Sequence, residues 1–232
     1  MRPFIKYIYL PLYIFIFLCF NYQLLLSQGS RPYNFIALGD SYTIGESVSN
    51  SERWPALLIN ELNNKGLKLT QPKIIAKTGW RTDDLLNAMD KEAADEKYDI
   101  VSVLIGVNNQ FQGKSISQYK TDLRTLFKKA ISLCKKGEKG VFALSIPDYG
   151  VTPFGKNQKE RIQKEIDQWN LVYENISKEF NISFYNITEI SRQAEQEPDL
   201  IAFDKLHPSG KMYLLWVKHI LKDVYFKLIS NK

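Results

Sequence analysis

At 232 residues the chain is long enough for one domain with a full hydrophobic core. Its composition is ordinary globular, with enough aliphatic and aromatic residues to pack. The formal charge of +6 is spread along helix-like stretches, and the longest basic runs are pairs such as Lys128-Lys129 and Lys135-Lys136. That pattern reads as solvated helix faces rather than a nucleic-acid footprint.

The first 27 residues stand apart from the core. Arg2 and Lys6 give a positive start, Tyr7 to Phe20 is almost wholly apolar, and Ser27-Gln28-Gly29-Ser30 supplies small and polar residues suited to cleavage. This is the pattern of a secretory signal peptide, which predicts export to the periplasm, the cell surface or the medium. The alternative is an uncleaved membrane anchor. The apolar run is shorter than the roughly 20 residues a spanning helix wants, although Leu24-Leu25-Leu26 could extend it. Cys19 lacks the small preceding residue expected of a lipid-modified cysteine, since Leu18 stands there. Cleavage would remove Arg2 and Lys6, leave a charge of +4, and keep Cys134 as the only cysteine. Cys134 falls on an apolar helix face with Leu123, Phe127 and Ile131 and reads as a buried thiol. At this size the core needs no disulfide.

From there apolar runs of strand length alternate with helical periodicity. Tyr33 to Leu38 is a predicted strand ending in Gly39. Trp54 to Leu62 is a helix and Lys73 to Ala76 a short strand. Thr82 reads as a helix N-cap, with Asp83 and Asp84 in the first turn. Asp99 to Ile105 is the strongest strand signal, followed by a helix over Ile116 to Lys135 and a strand over Val141 to Ile146, stopped by Pro147. A helix over Lys159 to Phe180, a strand over Ile182 to Tyr185 and a helix over Gly210 to Ile229 complete the chain. Near-continuous apolar strands alternating with helices predict an α/β fold: a three-layer α/β/α arrangement around a five-stranded parallel sheet, in a single domain over residues 31–230. The one long irregular stretch, Pro147 to Asn157, is rich in Gly and Pro and is placed to border a site.

In open α/β sheets ligands bind beyond the carboxyl ends of the strands. Ser41, Gly79, Asn108 and the Pro147 loop each follow a predicted strand, so four distant segments converge on one edge. Ser41 lies in a tight strand-to-helix connection where its hydroxyl is exposed; read alone, it is more simply a helix N-cap. Gly39-x-Ser41-x-Thr43 is not the Gly-x-Ser-x-Gly nucleophile elbow. The spacing of Gly39 and Gly45, with Glu46 after the second glycine, does not fit a phosphate-binding loop.

Of the two histidines, His219 falls on a polar helix face. His207 sits in Asp204-Lys205-Leu206-His207-Pro208, just before the expected N-cap Ser209. A serine nucleophile needs a base, and the base needs a carboxylate to orient it and stabilise its charged form; Asp204 can fold back onto His207 in one turn. Gly79 can offer a backbone N–H and Asn108 its side-chain amide to an oxygen on which charge develops. Alone, these are a turn glycine and a loop asparagine. With the serine and the Asp-x-x-His pair they form a set. Two dispersed histidines and no cysteine cluster do not make a metal site. Tyr42, Trp54, Trp80 and Phe154 lie near these segments, either lining a pocket or packing in the core.

Gly39-Asp40-Ser41, Gly79, Gly106-x-Asn108 and Asp204-x-x-His207, in this order, resemble the four blocks of the SGNH (GDSL-like) hydrolase family and span nearly all of the chain after residue 30. The resemblance implies a flavodoxin-like fold, ester hydrolysis through an acyl-enzyme, and neither metal nor cofactor. It assigns Ser41 as nucleophile, His207 as base and Asp204 as its partner, with the Ser41 and Gly79 N–H groups and the Asn108 amide as the oxyanion hole. Tyr42 departs from the leucine common after the serine, at a position that is not catalytic. The expected substrate is a small-acyl or carbohydrate ester. The alternatives are a lipid-type ester, as for a lysophospholipase or thioesterase, and a catalytically dead glycan- or lipid-binding module on the same fold. Membrane contact is expected only if the N-terminal segment is retained.

Overall fold

The computed structural model describes residues 31–93 and 96–230. The export segment expected at residues 1–27 lies outside them. In chain order the elements that build the fold are β1 (Phe35–Gly39), α1 (Ser41–Ile44), α2 (Trp54–Asn64), β2 (Lys73–Ala76), α3 (Thr82–Glu92), β3 (Ile100–Leu104), α4 (Val107–Phe111), α5 (Ile116–Leu133), β4 (Val141–Leu144), α6 (Lys159–Glu179), β5 (Ser183–Tyr185), α7 (Thr188–Arg192) and α8 (Gly210–Ile229).

All five strands run parallel, in the order β2-β1-β3-β4-β5. β1, β3 and β4 are buried along their whole length. This is why their sequences read as unbroken apolar runs rather than as alternation. The step from β1 to β2 goes one way across the sheet and every later step goes the other. Right-handed crossovers therefore put α2 on one face and α3, α5 and α6 on the other, and α8, which follows the last strand, joins α2 by packing against it. The packing agrees: α3, α5 and α6 lie side by side. Phe35 of β1 and Phe142 of β4 meet Trp54 of α2, with ring centres 6.0 Å and 6.4 Å from it, and anchor the first of these layers. The order reverses between β1 and β3, and the crevice beyond their carboxyl ends is the expected ligand position in such a sheet.

Several element ends lie one or two residues from the sequence reading, and two of these, together with one cap, have a visible cause. β1 begins at Phe35, because Tyr33 forms an isolated bridge to Leu69. α5 ends at Leu133, because Cys134 takes an extended conformation and pairs with Tyr98; its thiol is nevertheless buried. Thr82 is not the N-cap of α3 but its first residue. The cap position belongs to Arg81, whose N–H is accepted by Asp84 at 3.1 Å. Thr82 is instead buried, and its hydroxyl donates to Asp122 on α5 at 2.6 Å. Ser209 caps α8 as expected, accepting from the Met212 N–H. Among the described residues no helix is long and apolar enough to cross a membrane.

Candidate active site

β1 ends at Gly39 and the chain turns at once into the four-residue helix α1. Asp40, not Ser41, caps that helix: its side chain accepts the Tyr42 N–H at 3.0 Å. Ser41 is therefore the first residue of α1, where a backbone N–H has no partner within the helix. Among the described residues the Ser41 N–H donates no hydrogen bond. Asp40 is fully buried, and burial pushes its carboxyl up to about 7 despite the Tyr42 N–H that pulls the other way.

Beyond β2, Gly79 sits at φ +83°, a left-handed conformation that L side chains rarely adopt. Its N–H likewise has no acceptor among the described residues. Beyond β3, Gly106 has φ +131°, and a Cβ there would lie 2.6 Å from the Tyr119 hydroxyl and 2.9 Å from Ile146. Only glycine fits, and it starts α4, which carries Asn108 in its first turn. The Asn108 side-chain amide donates to the Trp80 carbonyl at 2.9 Å, which leaves its second N–H available. Asn109 points the other way. Its Oδ1 accepts the Thr82 N–H at 3.0 Å and its Nδ2 donates to the Thr82 hydroxyl at 2.8 Å. Two adjacent asparagines thus tie the Gly79 loop to α4.

The Asp204–His207 turn is closed by its own carboxylate. Asp204 Oδ1 accepts the backbone N–H groups of Leu206 at 3.0 Å and His207 at 2.9 Å, while Oδ2 lies 2.6 Å from His207 Nδ1. Lys205 takes φ +66° to permit this. Oδ2 also accepts the Ser47 hydroxyl at 2.7 Å, across 157 residues of sequence. Burial raises the Asp204 carboxyl, but the hydrogen bonds from Ser47, His207 and Leu206 outweigh it and hold the group down at about 2. It stays a carboxylate at any working pH, so the His207 Nδ1 must be the donor in that pair. The Tyr42 ring supports the imidazole from behind, edge to face at 5.6 Å.

These segments meet around one cavity of about 150 Å³, lined by Ser41, Gly79, Asn108 and His207 together with Tyr42, Thr78, Val107, Phe111, Tyr149, Phe154 and Leu206. All the residues singled out in the sequence for the chemistry are at this wall or, for Asp204, directly behind it. A larger concavity of about 920 Å³ lies between the start of β5 and the end of α8. It is lined by lysines and contains no histidine, so chemistry rather than size selects the smaller one. His219 is exposed on α8. Among the described residues no group of three or more His, Cys, Asp or Glu side chains could hold a metal ion.

The four aromatics separate. Trp54 is core, Trp80 is half-buried and contributes its carbonyl, Tyr42 backs His207, and Phe154 lines the cavity. No sequence pattern points to Ser47, whose role depends on a contact across 157 residues. Phe111 could have been found: it lies three residues after Asn108, on the same side of a short helix.

Residues 37–215 match the model of the GDSL-like lipase/acylhydrolase family. An acetylxylan esterase from Geobacillus stearothermophilus is 22% identical over 213 residues, covering 86% of this chain and 87% of that protein. Among solved structures, a lipase/acylhydrolase from Enterococcus faecalis superposes with a TM-score of 0.68 at 20% identity, covering 86% of this chain and 99% of the other. An acetylxylan esterase structure from Geobacillus stearothermophilus gives 0.65 at 20% identity, covering 88% and 99%. With the sheet order and the converging loops already described, the match over most of the chain settles the class: the protein is a carboxylic ester hydrolase and belongs to the GDSL-like lipase/acylhydrolase family.

Proposed function

We propose that Ser41, His207 and Asp204 hydrolyse an ester in two steps through an acyl-enzyme. His207 Nε2 takes the Ser41 proton as Oγ attacks the ester carbonyl carbon. The negative charge passes to the carbonyl oxygen and is met by the Ser41 and Gly79 N–H groups and the free N–H of Asn108. Collapse of this adduct breaks the bond to the alcohol oxygen, which leaves with the proton held by His207. Water then enters, gives its proton to His207 and attacks the acyl carbon. The acid departs, and the proton returns to Ser41. Asp204 holds the Nδ1–H throughout and stabilises the charged ring. The observation that carries this reading is the 2.6 Å Asp204–His207 pair behind the cavity that also holds Ser41 and two unpaired backbone donors.

The substrate we favour is a small-acyl ester, carried on a carbohydrate. The modest cavity supports a short acyl group, and the acetylxylan esterase relative supports a sugar alcohol. We further propose that residues 1–27 direct export and that residues 31–230 form the hydrolase domain. A series of p-nitrophenyl esters from acetate to decanoate, run beside acetylated sugars, tests the substrate class. Turnover should be fastest with acetate and fall by octanoate; a maximum at octanoate or longer would indicate a lipid-type ester. N-terminal sequencing of protein from the native host should begin near Gln28 to Arg31, and a soluble cytoplasmic protein starting at Met1 would refute export.

A further inference from the structure

The catalytic cavity does not end at its aromatic wall. Phe111, Tyr149 and Phe154 also line a second cavity of about 190 Å³, whose far side is Gly155, Asn157, Gln158, Arg161 and Ile162. The three rings form a cluster, with centres 6.0 to 6.3 Å apart. They are held firmly: the Tyr149 hydroxyl donates to Gln110 on α4 at 3.0 Å, and the Phe154 N–H donates to the Lys205 carbonyl at 3.2 Å, two residues from His207. Yet Phe111 and Phe154 are 57% and 54% exposed. Two large apolar side chains left half in water, on ordered backbone at the lip of an active site, mark a binding surface.

Its position identifies which part of an ester it meets. The alcohol leaves toward the base, and Phe154 is tied to the loop that carries the base. The Phe154 end of the cluster is therefore the end that meets the alcohol, while Phe111 stands on α4 with Asn108. The chemistry of the far wall narrows the alcohol further. The Asn157 amide has no partner among the described residues, so it offers donors and an acceptor at once. Gln158 Oε1 accepts from Arg161, which leaves the Gln158 amide N–H groups free. Arg161 is also paired with Glu165 at 2.8 Å, so its charge is already answered. Neutral groups that both donate and accept suit this wall better than an anion, and an alkyl chain would strip water from it without return. A sugar ring presents C–H groups on its face, which suit the negative face of an aromatic ring, and hydroxyls at its rim.

Resting on the esterase reading above, we infer that Phe111, Phe154 and the Asn157-Gln158-Arg161 wall form a distal subsite that binds a further ring of a neutral oligosaccharide, so that the enzyme acts on esters of oligomers in preference to those of single sugars. The test has a catalytic and a binding arm. In the first, kcat/KM is measured for acetylated xylotriose, acetylated xylose and p-nitrophenyl acetate in wild type, Phe154→Ala and Asn157→Ala. The trimer should exceed the monomer in wild type, and each substitution should lower the ratio of trimer to p-nitrophenyl acetate by about three- to tenfold, the scale of one aromatic or polar contact. In the second, unsubstituted xylotriose, cellotriose and chitotriose are titrated calorimetrically into wild type and the two variants, with circular dichroism melts confirming that each is folded. At least one trimer should bind wild type more tightly than its monosaccharide and lose about three- to tenfold in each variant. Equal treatment of trimer and monomer in both arms would overturn the subsite. So would a decanoate ester that outruns every sugar ester and depends on Phe154, since the rings would then serve an acyl chain. If no ester is turned over, the esterase reading fails by itself, and the calorimetric arm still decides the subsite.

Discussion

Replacing Asp204 by asparagine separates the role of its charge from the role of its shape. The carboxylate makes four contacts. Oδ1 receives the Leu206 and His207 N–H groups, and Oδ2 faces His207 Nδ1 and the Ser47 hydroxyl. The introduced amide has two placements. With its nitrogen in the Oδ1 position, two backbone N–H groups would face a donor, and hydrogen bonds to a charged acceptor worth about 1.5–3 kcal/mol each would be lost. With its nitrogen in the Oδ2 position both backbone bonds survive, and Ser47 can rotate to accept. The second placement is therefore adopted, and the turn keeps its form. The cost falls on chemistry. The amide donates to Nδ1, so the ring proton must sit on Nε2, where it blocks uptake of the Ser41 proton. A loss of about 10⁴-fold in kcat is the expected size for the wrong tautomer. Asp204→Asn should thus lose about 10⁴-fold in turnover of p-nitrophenyl acetate while its melting temperature stays close to wild type. Activity within tenfold of wild type would refute the reasoning.

Three further outcomes follow from the same structure. In the proposed mechanism Asn108 is one oxyanion donor, so Asn108→Ala should lower kcat by about 100- to 1,000-fold with little change in KM, as steady-state kinetics would read; an effect confined to KM would remove Asn108 from the oxyanion hole. Ser47→Ala removes one hydrogen bond to the Asp204 carboxylate and should cost about tenfold in kcat/KM; an unaffected rate would show that the other three contacts position Asp204 alone. Because burial holds the Asp40 proton up to about 7, the folded state binds it more tightly than the unfolded chain, whose carboxyl titrates at about 3.9. The contribution of this group to stability is fully present below about pH 4 and is lost as pH rises to about 7, on the order of 4 kcal/mol in all. Urea unfolding of wild type should therefore lose stability across that range relative to Asp40→Asn, and parallel profiles would contradict the assignment.

The legible parts of this protein were those fixed locally. β1, β3 and β4 are buried on both faces, so their sequences carry the signal unaided. That Ser41, Gly79 and Asn108 lie at one wall is legible because each follows a strand, and strand ends in a parallel sheet lie on one edge. The illegible parts depended on contacts between distant segments. Thr82 resembled a cap because threonine before two aspartates usually is one; a buried Asn109 and Asp122 drew it into the interior instead. Ser47 and Asp204 meet only after four further strands have been laid down between them. The helices α1 and α4 are too short for periodicity to register, so Phe111 shows only by its three-residue spacing from Asn108, whereas Phe154 stands in a conspicuous Gly- and Pro-rich loop.

In the proposed mechanism Ser41 alone carries the acyl group. The most direct measurement is intact-protein mass spectrometry after treatment with a fluorophosphonate, followed by peptide mapping, on wild type and Ser41→Ala. One adduct is expected on wild type, located at Ser41, with loss of p-nitrophenyl acetate turnover in proportion to labelling, and neither adduct nor turnover in a folded Ser41→Ala. An adduct on another residue, or a Ser41→Ala protein that retains full turnover, would contradict it.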